Sequence, residues 1–180
     1  MKSNMIISIS GTAGSGKSTV AKGLAKKLKF KHYSMGDLQR EVAEEMGVSI
    51  VELGELEKTD PSIDRMIDKK QRELGKKEDN FVIDAWLAPF FIPHAIKFFL
   101  DADIGERAKR RVVAKRTTES YQRQEDAERA IAQRENTNRE RWIKFYGFDF
   151  REKKNYDYII DTTNSNVREV LKKVNELLKK

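Results

Sequence analysis

Residues 5–18 read Met5-Ile6-Ile7-Ser8-Ile9-Ser10-Gly11-Thr12-Ala13-Gly14-Ser15-Gly16-Lys17-Ser18, and this stretch decides the fold. Its first part is a short β-branched apolar run, which is typical of a strand buried on both faces. Its second part matches the pattern G-x-x-x-x-G-K-S/T in full, and apolar residues follow at helical spacing from Val20 to Leu28. The sequence therefore predicts a strand, a glycine-rich loop and a helix in direct succession.

The glycine-rich loop predicts a site for a nucleotide triphosphate. Glycines let the backbone curl so that several N–H groups point at one anion, and the helix N-terminus adds its dipole. We expect Lys17 to reach the β- and γ-phosphates, and the Ser18 hydroxyl to bind Mg²⁺. The residues predicted to hold the nucleotide are Gly11, Thr12, Ala13, Gly14, Ser15, Gly16, Lys17, Ser18 and Thr19.

The rest of the chain alternates between strand-like and helical segments. Apolar runs at 80–84, 96–101 and 156–161 read as buried strands, and residues 31–34 form a weaker candidate. This alternation implies right-handed crossovers, so the sequence predicts an α/β fold with five parallel strands. Residues 38–75 and the Arg-rich stretch 115–147 are helical without a strand. Each is either a flap over the sheet or a solvated helical face.

Composition narrows the class of protein. The 180 residues suggest one domain over 1–180, and the absence of cysteine excludes a disulfide scaffold, a thiolate metal site and a Cys nucleophile. The net charge of +7 favours anionic partners without separating nucleic acid from small phosphorylated ligands. No apolar run approaches the ~20 residues that cross a bilayer, and the N-terminus shows no secretory signal. We expect a soluble, cytoplasmic monomer.

Two polar residues follow predicted strands at the edge of the sheet that faces the phosphates. Arg40 lies one helical turn after the second strand, where its guanidinium can clamp an acceptor phosphate in bidentate fashion. Asp84 ends an apolar strand, the position of an acid that holds Mg²⁺, and the alternative is that it caps the following turn. Ser18 and Asp84 are therefore the predicted metal ligands. Neither histidine is assigned a role.

Several motifs together resemble the cytidylate kinase family, and its archaeal-type members in particular. The resemblance extends over nearly the whole chain in order. It rests on residues 11–18, Ser34-x-Gly36-Asp37-x-x-Arg40, Ile63-Asp64-Arg65 followed by Gln71, Phe99–Ala102 followed by Glu106-Arg107 and Arg110-Arg111, and Tyr158–Thr163. It implies a three-layer P-loop NTPase core, with a helical insert for a nucleoside monophosphate at 38–75 and an Arg-rich lid at 115–147.

The resemblance also implies roles for single residues. Arg40 would hold the acceptor phosphate, with Ser34, Gly36 and Asp37 lining its pocket. In the lid, Asn138 would help to read the acceptor. The residues implied to act as catalytic cations beside Lys17 are Arg107, Arg111, Arg134 and Arg141. Residues 134, 138 and 141 are spaced to share one helical face, and the alternative for these charges is surface salt bridging.

One position departs from the family pattern. Family members carry a Gly-Arg pair after the acidic residue of this strand, whereas this chain reads Asp84-Ala85-Trp86. A neutral indole cannot supply the charged, bidentate fork of a guanidinium, so one acceptor contact is missing or supplied elsewhere. Trp86 either stacks on a base or packs beneath the insert.

The predicted function is transfer of the γ-phosphoryl group of Mg·ATP to CMP or dCMP. No general base is required, because an acceptor phosphate oxygen is already an adequate nucleophile. One alternative is a kinase of the same scaffold for AMP, UMP or a non-nucleotide. A second is a nucleotide-binding protein without turnover that holds RNA or a protein partner. Nucleic acid is disfavoured as a partner, because Trp142, Phe145 and Tyr146 are better explained as an apolar packing stripe.

Overall fold

The structure, a computed structural model, describes residues 4–114 and 120–179. Five strands alternate with helices along the chain. The elements in order are β1 (Ile6–Gly11), α1 (Lys17–Leu28), β2 (Lys31–Ser34), α2 (Met35–Glu45), α3 (Ile50–Leu56), α4 (Ser62–Lys77), β3 (Phe81–Asp84), α5 (Ala88–Phe91), β4 (Ile96–Asp101), α6 (Ile104–Ala114), α7 (Gln124–Tyr146), a 3₁₀ turn (Lys153–Asn155), β5 (Tyr158–Asp161) and α8 (Val167–Leu177).

The five strands form one parallel sheet in the order β2-β3-β1-β4-β5. The central strand β1 pairs with β3 through Ile7 and Val82, and with β4 through Ile9 and Phe98. All six residues of β1 are buried, as expected for a parallel strand covered on both faces. The predicted α/β fold with five parallel strands is confirmed.

Successive residues of β1 point to opposite faces of the sheet, and each face has its own apolar core. Ile7 and Ile9 pack with Leu24 of α1 and Val174 of α8. On the other face, Ile6 packs with residues that include Leu74 of α4. These two cores fix the carboxyl end of β1, and with it the start of the glycine-rich loop.

The chain between β2 and β3 consists of α2, α3 and α4, without a strand. Ser49 begins α3 with a reciprocal capping box to Glu52, and α7 packs against both α3 and α6. The boundaries 38–75 and 115–147 for insert and lid stay predictions, and residues 115–119 of that lid lie outside the described residues. Within the described ranges, every helix is too short or too polar to span a bilayer.

Candidate active site

A cavity of about 510 Å³ opens at the carboxyl ends of the strands, where parallel α/β sheets bind their ligands. Residues 14–19, which follow the central strand, form its floor. Because β1 lies mid-sheet, the cavity extends to both sides of this floor. We call the side lined by α2, α4 and Trp86 the α4 lobe, and the side lined by Arg110 and the segment from Thr162 to Val170 the α8 lobe.

The shape of the loop requires glycine at two positions. Gly11 has φ of 135°, and a Cβ atom there would lie 1.9 Å from the carbonyl oxygen of Leu100. Gly14 has φ of 86°, and its Cβ would lie 2.8 Å from the carbonyl oxygen of Arg107. Both conformations are strained for residues with a side chain. The loop therefore rests directly on β4 and α6 before α1 begins at Lys17.

Lys17 is half-buried in this loop, and its Nζ atom donates a hydrogen bond to the carbonyl oxygen of Thr12 at 2.7 Å. Burial, followed by the nearby charge of Arg111, lowers the pKa of Lys17 from 10.5 to about 7. The Nζ atom also lies 5.3 Å from the centre of the Trp86 ring. An anion that enters the loop would therefore favour the charged form of Lys17 and be attracted to it strongly.

Asp84 lies at the centre of a hydrogen-bonded group beside the loop. Its Oδ1 atom accepts hydrogen bonds from the hydroxyls of Ser18, at 2.7 Å, and Ser34, at 3.0 Å. Its Oδ2 atom lies 2.8 Å from Nε2 of His32. Strand pairing causes this arrangement, since Ser34 is in register with Asp84 and His32 precedes Ser34 by two residues on the same face of β2.

The residues predicted to bind Mg²⁺ fit that ion. Ser18 and Asp84 present oxygen atoms at the edge of the cavity, and both line it. Mg²⁺ in phosphate-binding sites takes one or two protein oxygens and completes its coordination with phosphate and water. Residues 4–114 and 120–179 contain no group of three or more His, Cys, Asp or Glu side chains that would form an all-protein metal site.

The first turn of α2 brings the predicted acceptor residues together. Ser34 caps this helix by accepting a hydrogen bond from the backbone N–H of Asp37 at 3.2 Å. The guanidinium of Arg40 is paired with Asp37 at 2.5 Å and lies 3.4 Å from where a Cβ of Gly36 would be. Gly36 and Arg40 line the α4 lobe, so the predicted phosphate clamp faces the same cavity as the loop.

Of the four arginines predicted to act as catalytic cations, two line the cavity and two do not. Arg134 donates a hydrogen bond to Oε1 of Gln39 at 3.2 Å, and its guanidinium carbon lies 4.9 Å from the Trp86 ring centre. Arg111 also lines the cavity. Arg107 is instead buried outside the cavity lining, where it pairs with Glu135 at 2.8 Å.

Arg141 and Asn138 of α7 do not line the cavity. Arg141 is buried between two carboxylates, with ion pairs to Glu57 at 2.7 Å and Asp64 at 2.5 Å. Asn138 is buried against Gly54, and both polar atoms of its side chain have no hydrogen-bond partner among the described residues. Packing of α3 against α7 covers this part of the helix, so only Arg134 of the predicted face reaches the cavity. The roles proposed for residues 138 and 141 stay predictions.

Trp86 packs and lines the cavity at the same time. Its Nε1 atom donates a hydrogen bond to the carbonyl oxygen of Gly11 at 2.6 Å. Its ring lies 5.4 Å from Trp142 and 5.5 Å from Phe150, centre to centre. The indole therefore anchors the end of β1, and it separates the loop from the aromatic cluster beneath α7.

Sequence reasoning assigned no role to three residues at this site. Strand alternation would have placed His32 beside Asp84. Arg110 follows from the helical spacing of α6, and it donates to the carbonyl oxygen of Thr162 at 2.7 Å. Glu135 accepts a hydrogen bond from the backbone N–H of Ala13 at 2.6 Å, and no local pattern distinguishes it from other acids of α7.

Comparison with known proteins identifies the family. A model described as the cytidylate kinase-like family matches residues 6–164. The chain belongs to this family. The "Cytidylate kinase" of Thermococcus kodakarensis is 43% identical over 164 residues, covering 91% of this chain and 82% of that protein. That of Pyrococcus abyssi is 42% identical over 163 residues, covering 90% and 87%.

Solved structures agree with the fold of this cytidylate kinase-like chain. A shikimate kinase from Bacteroides thetaiotaomicron superposes with a TM-score of 0.65 at 20% identity, covering 98% of this chain and 99% of that one. A shikimate kinase from Aquifex aeolicus gives a TM-score of 0.59 at 20% identity, covering 97% and 96%. The predicted family and the predicted P-loop NTPase fold are both confirmed.

Proposed function

We propose that this cytidylate kinase-like protein transfers the γ-phosphoryl group of ATP to CMP, with dCMP as a second acceptor. The observation that supports this most directly is that one cavity is lined by both Lys17 of the glycine-rich loop and Arg40 of α2. A phosphoryl donor and a phosphorylated acceptor each need a cationic group. The names of the relatives support the choice of a cytidine nucleotide.

The donor would occupy the loop, with its nucleoside in the α8 lobe. The loop amides and Lys17 would hold the β- and γ-phosphates, while Ser18 and Asp84 would hold Mg²⁺. When bound, Mg²⁺ would supply positive charge that offsets the negative charge of the phosphates. His32 and Ser34 hold the Asp84 carboxylate by hydrogen bonds, which would keep it oriented for this role.

The acceptor would occupy the α4 lobe, with its phosphate on Arg40. An oxygen of that phosphate forms the new bond to the γ-phosphorus while the bond to the β,γ-bridging oxygen breaks, which releases ADP. Positioning and charge stabilisation carry such a transfer. Arg134 and Arg111 line the cavity and would stabilise charge on the migrating group, while closure of α7 would exclude water.

The test measures ADP formation from Mg·ATP with CMP, dCMP, UMP and AMP in separate reactions. We expect the highest kcat/KM with CMP or dCMP, and a KM for CMP at least about tenfold higher in Arg40→Met, because a charge-assisted bidentate contact is lost. Lys69→Met, an exposed change on α4, is the control. ADP formation no faster with any nucleotide than without acceptor would overturn the proposal. The predicted cytoplasmic, monomeric form stays a prediction.

A further inference from the structure

One face of α4 forms a polar wall of the α4 lobe. Asp64, Ile67, Asp68 and Gln71 are spaced i, i+3, i+4 and i+7, so they share one side of the helix, and all four line the cavity. Asp68 is 4% exposed and Gln71 is 2% exposed. Buried polar side chains on a cavity wall are costly unless a partner satisfies them.

Gln71 has an unsatisfied acceptor. Its Oε1 atom is buried and has no hydrogen-bond partner among the described residues. Such an atom carries a desolvation penalty while it stays unpaired, so a ligand that donates a hydrogen bond to it binds more favourably. Asp64, two turns before it on the same face, is ion-paired with Arg141 at 2.5 Å.

Asp68 is a second acceptor on the same wall. The hydroxyl of Tyr146 donates to its Oδ2 atom, and its Oδ1 atom has no hydrogen bond within the described part of the chain. Burial raises the pKa of Asp68 to about 6, and the group is therefore mainly ionised at pH 8. An ionised carboxylate accepts hydrogen bonds and donates none.

Two neighbouring acceptors match a ligand group that carries two N–H bonds. The exocyclic amino group of cytosine is such a group. Uracil has a carbonyl oxygen at this position. That oxygen and the Asp68 carboxylate both accept hydrogen bonds and neither donates one, so they would repel each other. The amide of Gln71 alone can pair with either base because it both donates and accepts, so discrimination falls to Asp68.

We propose that Asp68, together with Gln71, reads the exocyclic amino group of the acceptor base and thereby selects cytosine over uracil. This inference rests on the proposed function and specifies the part of the site that determines its substrate. Tyr146 acts as a positioning residue, because its hydroxyl fixes one oxygen of the carboxylate and leaves the other available as an acceptor.

The test compares kcat/KM for CMP and UMP at pH 8 in the wild type and in Asp68→Asn. The asparagine keeps an oxygen that accepts from Tyr146, and it adds an N–H that can donate to the uracil carbonyl. We expect the CMP-to-UMP ratio to fall at least about tenfold, the factor expected for one hydrogen bond to a charged group. Gln71→Met should lower kcat/KM for CMP by a similar factor.

Glu73→Gln is the matched control, since it makes the same acid-to-amide change on the solvent side of α4. Calorimetric titration with CMP and UMP gives the affinity ratio even for a variant with little turnover. A ratio in Asp68→Asn equal to that of the wild type and Glu73→Gln would overturn the inference while the kinase activity stands. No transfer by the wild type to either nucleotide would instead refute the proposed function.

Discussion

The indole Nε1 of Trp86 donates a hydrogen bond of 2.6 Å to the carbonyl oxygen of Gly11. This bond joins the second residue after β3 to the last residue of β1, at the point where the phosphate loop starts. The ring also lies against both Lys17 and Arg134. Where the family pattern has an arginine, this chain has a tryptophan that anchors the loop. The tryptophan places no further positive charge beside Lys17 and Arg134.

Replacing Trp86 with phenylalanine keeps an aromatic ring but leaves the Gly11 carbonyl without its donor. We expect the free energy of unfolding to fall by about 1–3 kcal/mol, and the KM for ATP to rise, because the loop loses its anchor. Urea unfolding and steady-state kinetics measure the two effects. Trp142→Phe is the control, since the buried Nε1 of Trp142 has no partner among the described residues. Equal losses in both variants would contradict the role of the Gly11 bond.

Lys17→Met is expected to lower kcat at least about a hundredfold, since a cation aimed at the transferred group is lost. The free energy of unfolding should not fall at pH 8, because burial disfavours the charged lysine in the empty loop. The readouts are ADP formation and urea unfolding. Lys22→Met, on the exposed side of the same helix, is expected to leave both unchanged. Wild-type turnover in Lys17→Met would remove this lysine from the mechanism.

Binding of ATP is expected to take up protons at pH 8. Lys17 has a pKa of about 7 in the empty loop and is mostly neutral at this pH, whereas phosphates restore its charge. The uptake should approach about one proton per site, and affinity should weaken as pH rises above 7. Calorimetry in buffers of different ionisation enthalpy measures the uptake, and Lys17→Met should abolish the Lys17 contribution. A binding enthalpy independent of buffer would count against the lowered pKa.

Lys17 is also expected to make the free energy of unfolding depend on pH. Between pH 7 and 10.5 the unfolded chain holds a proton on Lys17 that the folded chain has lost. Because the unfolded state binds more protons there, this residue raises the free energy of unfolding as pH increases through that window. The difference in pH dependence between wild type and Lys17→Met isolates the effect.

We expect substitution of Arg141 to lower mainly the stability of the protein, and substitution of Arg134 to lower mainly its catalytic rate. Arg141→Met leaves Glu57 and Asp64 buried without their cation, which should cost about 3–5 kcal/mol of unfolding free energy. Arg134→Met removes a cation from the cavity lining and should mainly lower kcat. Arg129→Met, on the exposed side of α7, is the reference. Lost kcat with unchanged stability in Arg141→Met would show that Arg141 reaches the phosphates during turnover.

Local sequence signals predicted the sheet and the loop because each rests on short-range physics. The β-branched run of β1 and the glycine pattern are each recognisable within a few residues. The ion-pair partners of Arg141 could not be predicted from local sequence, because Glu57 and Asp64 lie more than seventy residues away in the chain. Helical spacing placed residues 134, 138 and 141 on one face, but only the packing of α3 decides which of them reach the cavity.

Glu135 links the tip of the phosphate loop to the C-terminal third of the chain. Its buried carboxylate accepts from the Ala13 amide and pairs with Arg107 and Arg151. The motif at residues 11–18 thus owes part of its shape to a side chain encoded more than a hundred positions later. A fragment that stops before α7 would carry every residue of the motif but would lack the carboxylate that accepts from the Ala13 amide.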